Sequence, residues 1–269
     1  MSRIGATFER LRLRRRPAFI PFIVAGDPDL HTTARVVEML VDAGADLIEL
    51  GVPFSDPVAD GPTNQRAYQR ALAAGTRLTD VLTLVGELRR RMDIPVVLLS
   101  YYNPILQFGP ASFCVEAVRR GVDGVVVPDL PSDEADELLA PARQCGLDTI
   151  FLLAPTSTDE RIRLVAERCT GFVYCVSLTG ITGMRDRLSG DLPDLVARIR
   201  ARTRLPICVG FGVSTPEQAR EVGAVADGVI VGSAIVALLE RSDGPARARE
   251  LAASLRRALD GPPGGKAAP

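Results

Sequence analysis

A chain of 269 residues with 46% hydrophobic and 24% charged content is long enough to bury one large core. Its formal net charge of −1 gives no general attraction to nucleic acid or anionic membranes, and no apolar run is long enough to span a bilayer. Cys114, Cys145, Cys169, Cys175 and Cys208 are scattered without CxxC spacing, as expected of buried thiols in a reducing cytoplasm and not of a zinc site or disulfide framework.

The first predicted element is a short amphipathic lead-in helix over residues 8–16; it is basic, but carries Glu9 and lacks the apolar centre of a secretory signal. Beyond it, apolar β-branched runs begin near Ala18, Asp46, Pro95, Asp123, Asp148, Gly171, Pro206 and Asp227, with helical patterns in the intervals. In the interval 33–43, Val36, Val37, Leu40 and Val41 share one helical stripe and Gly44 supplies the stop. The arginine runs 89–91 and 119–120 fall on helices and read as solvated faces. Eight strands alternating with helices predict a (β/α)8 barrel over residues 1–260, with a doubly wound open sheet as the lesser alternative. The tail 261–269, rich in Gly and Pro, is expected to be disordered.

In such a barrel the loops leaving the strands form the active face. The second strand carries Glu49 near its end, a charge where a buried strand ordinarily has Val or Ile, and runs into GVPFSDPVADGP, in which Asp60 lies on a loop stiffened by Pro53, Pro57 and Pro62. Two readings stand. Either the carboxylates form an acid and base pair, or Glu49 meets an arginine and Asp60 caps the following helix. Glycines concentrate at the last three exits, around Gly180 and Gly183, Gly210 and Gly212, and Gly232 with Ser233. Backbone N–H groups there suit a phosphate, and Ser233 can open a helix and donate to it; tight turns alone are the alternative.

The absences also limit the chemistry. Lys266, in the tail, is the only lysine, so no barrel lysine is available to form a Schiff base. The single histidine, His31, supports neither a His-rich metal site nor a catalytic triad. Carboxylates, hydroxyls and backbone dipoles are left to carry the reaction.

The motifs PFIVAGDP, DLIELGVPFSDPVADGPTNQ, YYNP, VPDLP, SLTGITG, GFGVSTPEQ and VGSAIV, spread over residues 8–259, resemble the tryptophan synthase alpha chain family in order and spacing. The resemblance implies a (β/α)8 barrel that cleaves indole-3-glycerol phosphate to indole and glyceraldehyde 3-phosphate, in the last stage of tryptophan synthesis, in the cytoplasm. It implies that Glu49 is the acid and base, and that Asp60 bonds the indole N–H. Phe22, Leu99, Tyr101, Val126, Leu152, Tyr174 and Phe211 correspond to pocket positions, although Phe22, Val126 and Leu152 also suit a barrel core. The phosphate would lie on Gly183, Gly212, Gly232 and Ser233. Thr182 would belong to a lid over residues 177–191, beside the Asp60 loop.

The resemblance further implies a pyridoxal-phosphate beta chain as partner in an alpha2-beta2 assembly, contacted through Pro53, Asp56, Asn103 and Pro131, with no cofactor in this chain itself. A free-standing indole-releasing lyase and a noncatalytic phosphate-binding barrel are the competing readings.

Overall fold

The computed structural model describes residues 2–176, 192–210 and 212–261. Its strands are β1 (Ala18–Val24), β2 (Ile48–Gly51), β3 (Val96–Leu99), β4 (Gly124–Val126), β5 (Asp148–Ile150), β6 (Leu152–Leu153), β7 (Val173–Val176), β8 (Ile207–Gly210) and β9 (Gly228–Val231). All pairings are parallel, in the order β5-β4-β3-β2-β1-β9-β8-β7-β6. The expected eight strands are all present. The ninth arises because the run from Asp148 is interrupted at Phe151, whose carbonyl still accepts from the Tyr174 N–H at 3.1 Å and so continues the barrel wall.

The helices among the described residues are α1 (Arg3–Leu13), α2 (Leu30–Asp42), α3 (Pro62–Ala73), α4 (Leu78–Arg89), α5 (Tyr102–Phe108), α6 (Pro110–Arg120), α7 (Asp136–Cys145), α8 (Asp159–Arg168), α9 (Leu192–Arg200), α10 (Pro216–Gly223), α11 (Ser233–Leu239) and α12 (Gly244–Asp260). The α2 stripe behaves as its spacing requires: Val36, Val37 and Leu40 are buried, and Gly44 follows at φ +101°, a conformation that glycine adopts without a Cβ penalty.

Strand alternation divides the core into layers. Phe19, Ile23, Ile48, Leu50, Val96, Leu98, Val125, Val173 and Val229 point outward into the layer beneath the helices. Ala18, Ile20, Leu47, Val97, Val126, Ile150, Tyr174, Cys208 and Ile230 point inward. The lead-in helix begins earlier than expected, at Arg3, and its buried Ile4, Phe8 and Leu11 join this inner cluster. It therefore closes the end of the barrel where the strands begin.

Polar fastenings ring that closed end. Asp46 accepts from the Phe19 N–H at 2.9 Å, Asp123 from the Val96 N–H at 2.8 Å and Asp227 from the Ile207 N–H at 2.8 Å. Each aspartate also meets an arginine: Asp46 pairs with Arg256 at 2.8 Å, Asp123 with Arg89 at 2.9 Å and Asp227 with Arg200 at 2.6 Å. Arg89 departs from the expected solvated face. It is largely covered, and its guanidinium also donates to the Ile94 and Gly121 carbonyls, because α4 ends directly over the start of β3.

Candidate active site

At the opposite end, the register Phe22↔Glu49 on β1 and β2 turns Glu49 into the barrel interior between outward-facing Ile48 and Leu50. The side chain is 1% exposed, and neither carboxylate oxygen has a hydrogen-bond partner among the described residues. No arginine among the described residues pairs with Glu49, contrary to one reading of the sequence. Burial penalises the anion, and nearby Asp60 adds repulsion, so the Glu49 carboxyl is pushed up to about 8.

Asp60 is held in the opposite manner. Tyr101, the N-cap of α5 just beyond β3, donates its hydroxyl proton to Asp60 Oδ2 at 2.7 Å, and the Asn64 amide donates to Oδ1 at 2.9 Å. Burial raises the Asp60 pKa, and hydrogen bonds from Asn64 and Tyr101, with fully buried Tyr68 close by, restrain the rise. Asp60 does not cap the next helix, as the structural reading of the sequence had it. That cap is Gly61, without a side-chain bond, and Pro62 occupies the first helical turn, where its missing N–H costs nothing.

A cavity of about 260 Å³ joins these groups. Glu49 and Asp60 line it together with Phe22, Leu99 and Tyr174, and Gly212, Gly232 and Ser233 complete it from the β8 and β9 exits. Gly212 sits at φ +78°, and Gly232 precedes α11 with its Cα so close to Phe22 that an added Cβ would lie 3.2 Å from the ring. Two further glycines let aromatic rings lie across strand ends. A Cβ on Gly51 would meet Phe22 at 2.8 Å, and one on Gly210 would meet the Tyr174 hydroxyl at 2.5 Å.

The remaining expectations fall in different places. Tyr101 stands behind Asp60 and stacks on Phe54 with ring centroids 5.3 Å apart, so it positions the carboxylate. Val126 and Leu152 belong to the inner core and do not line the cavity, in keeping with the core alternative. Thr182, Gly183 and Phe211 lie outside the described residues, as does the tail 262–269. Asp56 and Asn103 are exposed, Pro131 is half-buried, and Pro53 is buried within the chain.

Sequence reasoning missed Asn64 and Tyr68. They lie on α3 after the Asp60 loop, and Tyr68 reads as an ordinary member of an apolar stripe with Ala67 and Ala71. The signal available was the placement of Asn64, one helical turn beyond Asp60.

The architecture and the match to known proteins agree. A family model described as tryptophan synthase alpha chain matches residues 8–259. The tryptophan synthase alpha chain of Geobacter sulfurreducens is 52% identical over 262 residues, covering 96% of this chain and 99% of the relative. That of Gluconacetobacter diazotrophicus is 50% identical over 243 residues, covering 90% and 89%. Among solved structures, tryptophan synthase subunit alpha from Legionella pneumophila superposes with a TM-score of 0.87 at 40% identity, covering 97% of this chain and 99% of that one. A chain of Mycobacterium tuberculosis tryptophan synthase gives 0.90 at 40% identity, covering 96% and 98%. This chain belongs to the tryptophan synthase alpha chain family.

Proposed function

We propose that Glu49 carries both proton transfers in this family's lyase reaction, the cleavage of indole-3-glycerol phosphate to indole and glyceraldehyde 3-phosphate in tryptophan biosynthesis. The supporting observation is the Glu49 carboxyl itself, buried, without a hydrogen-bond partner among the described residues and facing a cavity. With its pKa pushed up to about 8, the group is mostly protonated at neutral pH and is ready to act first as an acid.

Glu49 gives its proton to indole C3, and positive charge appears on the ring nitrogen. Asp60, fixed by Tyr101 and Asn64, accepts a hydrogen bond from the indole N–H and stabilises that charge. The bond between C3 and the glycerol chain then breaks, its electrons returning to the indole ring. The adjacent hydroxyl gives its proton to the Glu49 carboxylate, which restores the acid and leaves an aldehyde. Phe22, Leu99 and Tyr174 supply an apolar wall for the ring, and Gly212, Gly232 and Ser233 offer backbone and hydroxyl donors to the phosphate.

The proton transfers need no cofactor in this chain. The partner is a tryptophan synthase beta chain, which holds pyridoxal phosphate in an alpha2-beta2 assembly in the cytoplasm. Asp56 and Asn103 are exposed at strand exits, and Val58 at 81% and Leu106 at 44% exposure put apolar surface beside them, which suits a docking face. No described helix is long and apolar enough to cross a membrane.

The direct test is to add the purified chain to indole-3-glycerol phosphate, with and without a beta chain. The chain contains no tryptophan, so released indole can be followed by fluorescence without a protein indole signal. No indole under either condition would overturn the reading.

A further inference from the structure

The cavity is built from elements that are distant in sequence. Asp60 precedes α3, whose first residues Pro62, Thr63 and Asn64 line the wall near the carboxylates. Gly232 and Ser233 open α11 on the phosphate side. A substrate that spans both sides needs them at a fixed separation, yet no strand pairing connects the two helices.

Away from the cavity, charged side chains connect them, beside the apolar cluster that Ala67, Tyr68 and Ala71 of α3 share with Val236 of α11. Arg70 of α3 forks onto Asp27 in the turn after β1, with Nε to Oδ1 at 2.8 Å and Nη2 to Oδ2 at 2.7 Å. Its third nitrogen, Nη1, donates to Glu240 Oε1 at 3.0 Å. Glu240 is the C-terminal cap of α11 and also accepts from Arg66, one helical turn earlier on α3, at 3.2 Å. The Asp27 side chain is 8% exposed and Glu240 27%, so solvent screens this network only in part. The geometry is bidentate, which a lysine cannot reproduce. The turn carrying Asp27 is itself packed on the end of α3, since a Cβ on Gly26 would clash with the Thr76 side chain.

We infer that Arg70 is a positioning residue: a clamp that locks the helix following Asp60 to the helix opened by Gly232 and Ser233, so that the acid–base end and the anchoring end of the cavity keep one spacing. The inference rests on the reading of the cavity given above. Arg70 does not line the cavity. It acts through Glu240 and Asp27 on the orientation of α3 and α11. Proton transfer depends steeply on alignment, whereas a ligand held by Gly212 and the start of α11 does not sense the position of α3.

The test compares wild type with Arg70→Met, which keeps the length of the stem, Arg70→Lys, which keeps the charge without the fork, and Glu240→Gln. Turnover of indole-3-glycerol phosphate is measured beside the affinity for glycerol 3-phosphate and the thermal midpoint. Arg70→Met should lose about tenfold to a hundredfold in kcat, while glycerol 3-phosphate affinity stays within about twofold. Arg70→Lys should recover only part of the loss. Glu240→Gln should lose less than Arg70→Met, and the Arg70→Met/Glu240→Gln double variant should be no worse than Arg70→Met alone.

Unchanged kcat in Arg70→Met would overturn the clamp, as would a parallel fall in kcat, phosphate affinity and thermal midpoint. If Arg70→Met fails to fold, Glu240→Gln decides: a kcat loss without an affinity loss supports the clamp, and wild-type kcat removes it. A wild type that releases no indole even with a beta chain would instead remove the reading of the site.

Discussion

The Tyr101 hydroxyl donates to Asp60 Oδ2 at 2.7 Å while accepting from the Ala59 N–H at 3.0 Å, so one phenol fixes both the carboxylate and the backbone beside it. Tyr101→Phe keeps the stack on Phe54 and removes only these bonds. A hydrogen bond to a charged group is worth about 1.5 to 3 kcal/mol, which corresponds to roughly a tenfold to a hundredfold loss in kcat/KM if Asp60 must be held in place. Near-normal kcat/KM would mean that Asn64 alone orients Asp60.

Glu49→Gln should abolish cleavage, by at least the ~10² to 10⁴ ascribed to general acid and base catalysis, without loss of fold. Its effect on stability should depend on pH. The carboxyl pKa rises from 4.5 to about 8 on folding, so the native state retains a proton that the unfolded chain releases in that interval. The stabilising contribution of this retention is full below 4.5 and is lost as pH rises towards 8. The thermal midpoint of Glu49→Gln should therefore gain on wild type between pH 5 and pH 9, as scanning calorimetry would show. A difference independent of pH would mean that Glu49 is not raised.

Asp60→Asn should lower the Glu49 midpoint, because repulsion from Asp60 is the second cause of its elevation after burial. Carbon NMR of the Glu49 carboxyl reads this directly. Activity should be severely reduced in the same variant, and an unmoved titration would place the two carboxylates too far apart to interact.

Gly212→Ala should weaken glycerol 3-phosphate more than indole, since φ +78° strains any side chain and the residue lines the cavity at the β8 exit. Gly232 is the less clean probe. A side chain there presses on Phe22 and so disturbs the indole wall as well. Calorimetry of both ligands checks the contrast, and equal losses in Gly212→Ala would argue against phosphate contact.

Asp123→Ala should cost about 3 to 5 kcal/mol in urea unfolding, because it removes the counter-charge of the covered Arg89 guanidinium and leaves the Val96 N–H without its acceptor. A loss below about 1 kcal/mol would mean that water replaces the carboxylate without penalty.

The barrel was legible because its strands are short apolar runs between clear helical stripes; Glu49 was legible because a charge in such a run is anomalous, and Asp60 because it lies on the proline-stiffened loop leaving that run. The choice between chemistry and an ion pair at Glu49 was not legible, since it depends on which side chains from other elements face it. Arg89 shows the same limit from the other side. A run of three arginines looks solvated, and only the arrival of α4 over the start of β3 covers the first of them. Arg70 carried no local signal, because Asp27 and Glu240 are far from it in sequence. The interruption at Phe151 was also hidden, as the run reads continuously through it.

The aspartates at the closed end have a consequence at the open one. Asp46 engages β1 at Phe19, and from that pairing the count along β2 brings Glu49 opposite Phe22, facing inward. A slip of one residue would send every side chain of β2 to the other surface, burying the acid among the helices and turning Ile48 or Leu50 into the cavity. Asp46 thus works as a ruler: a carboxylate far from the cavity sets which residue of the strand that follows it faces the cavity.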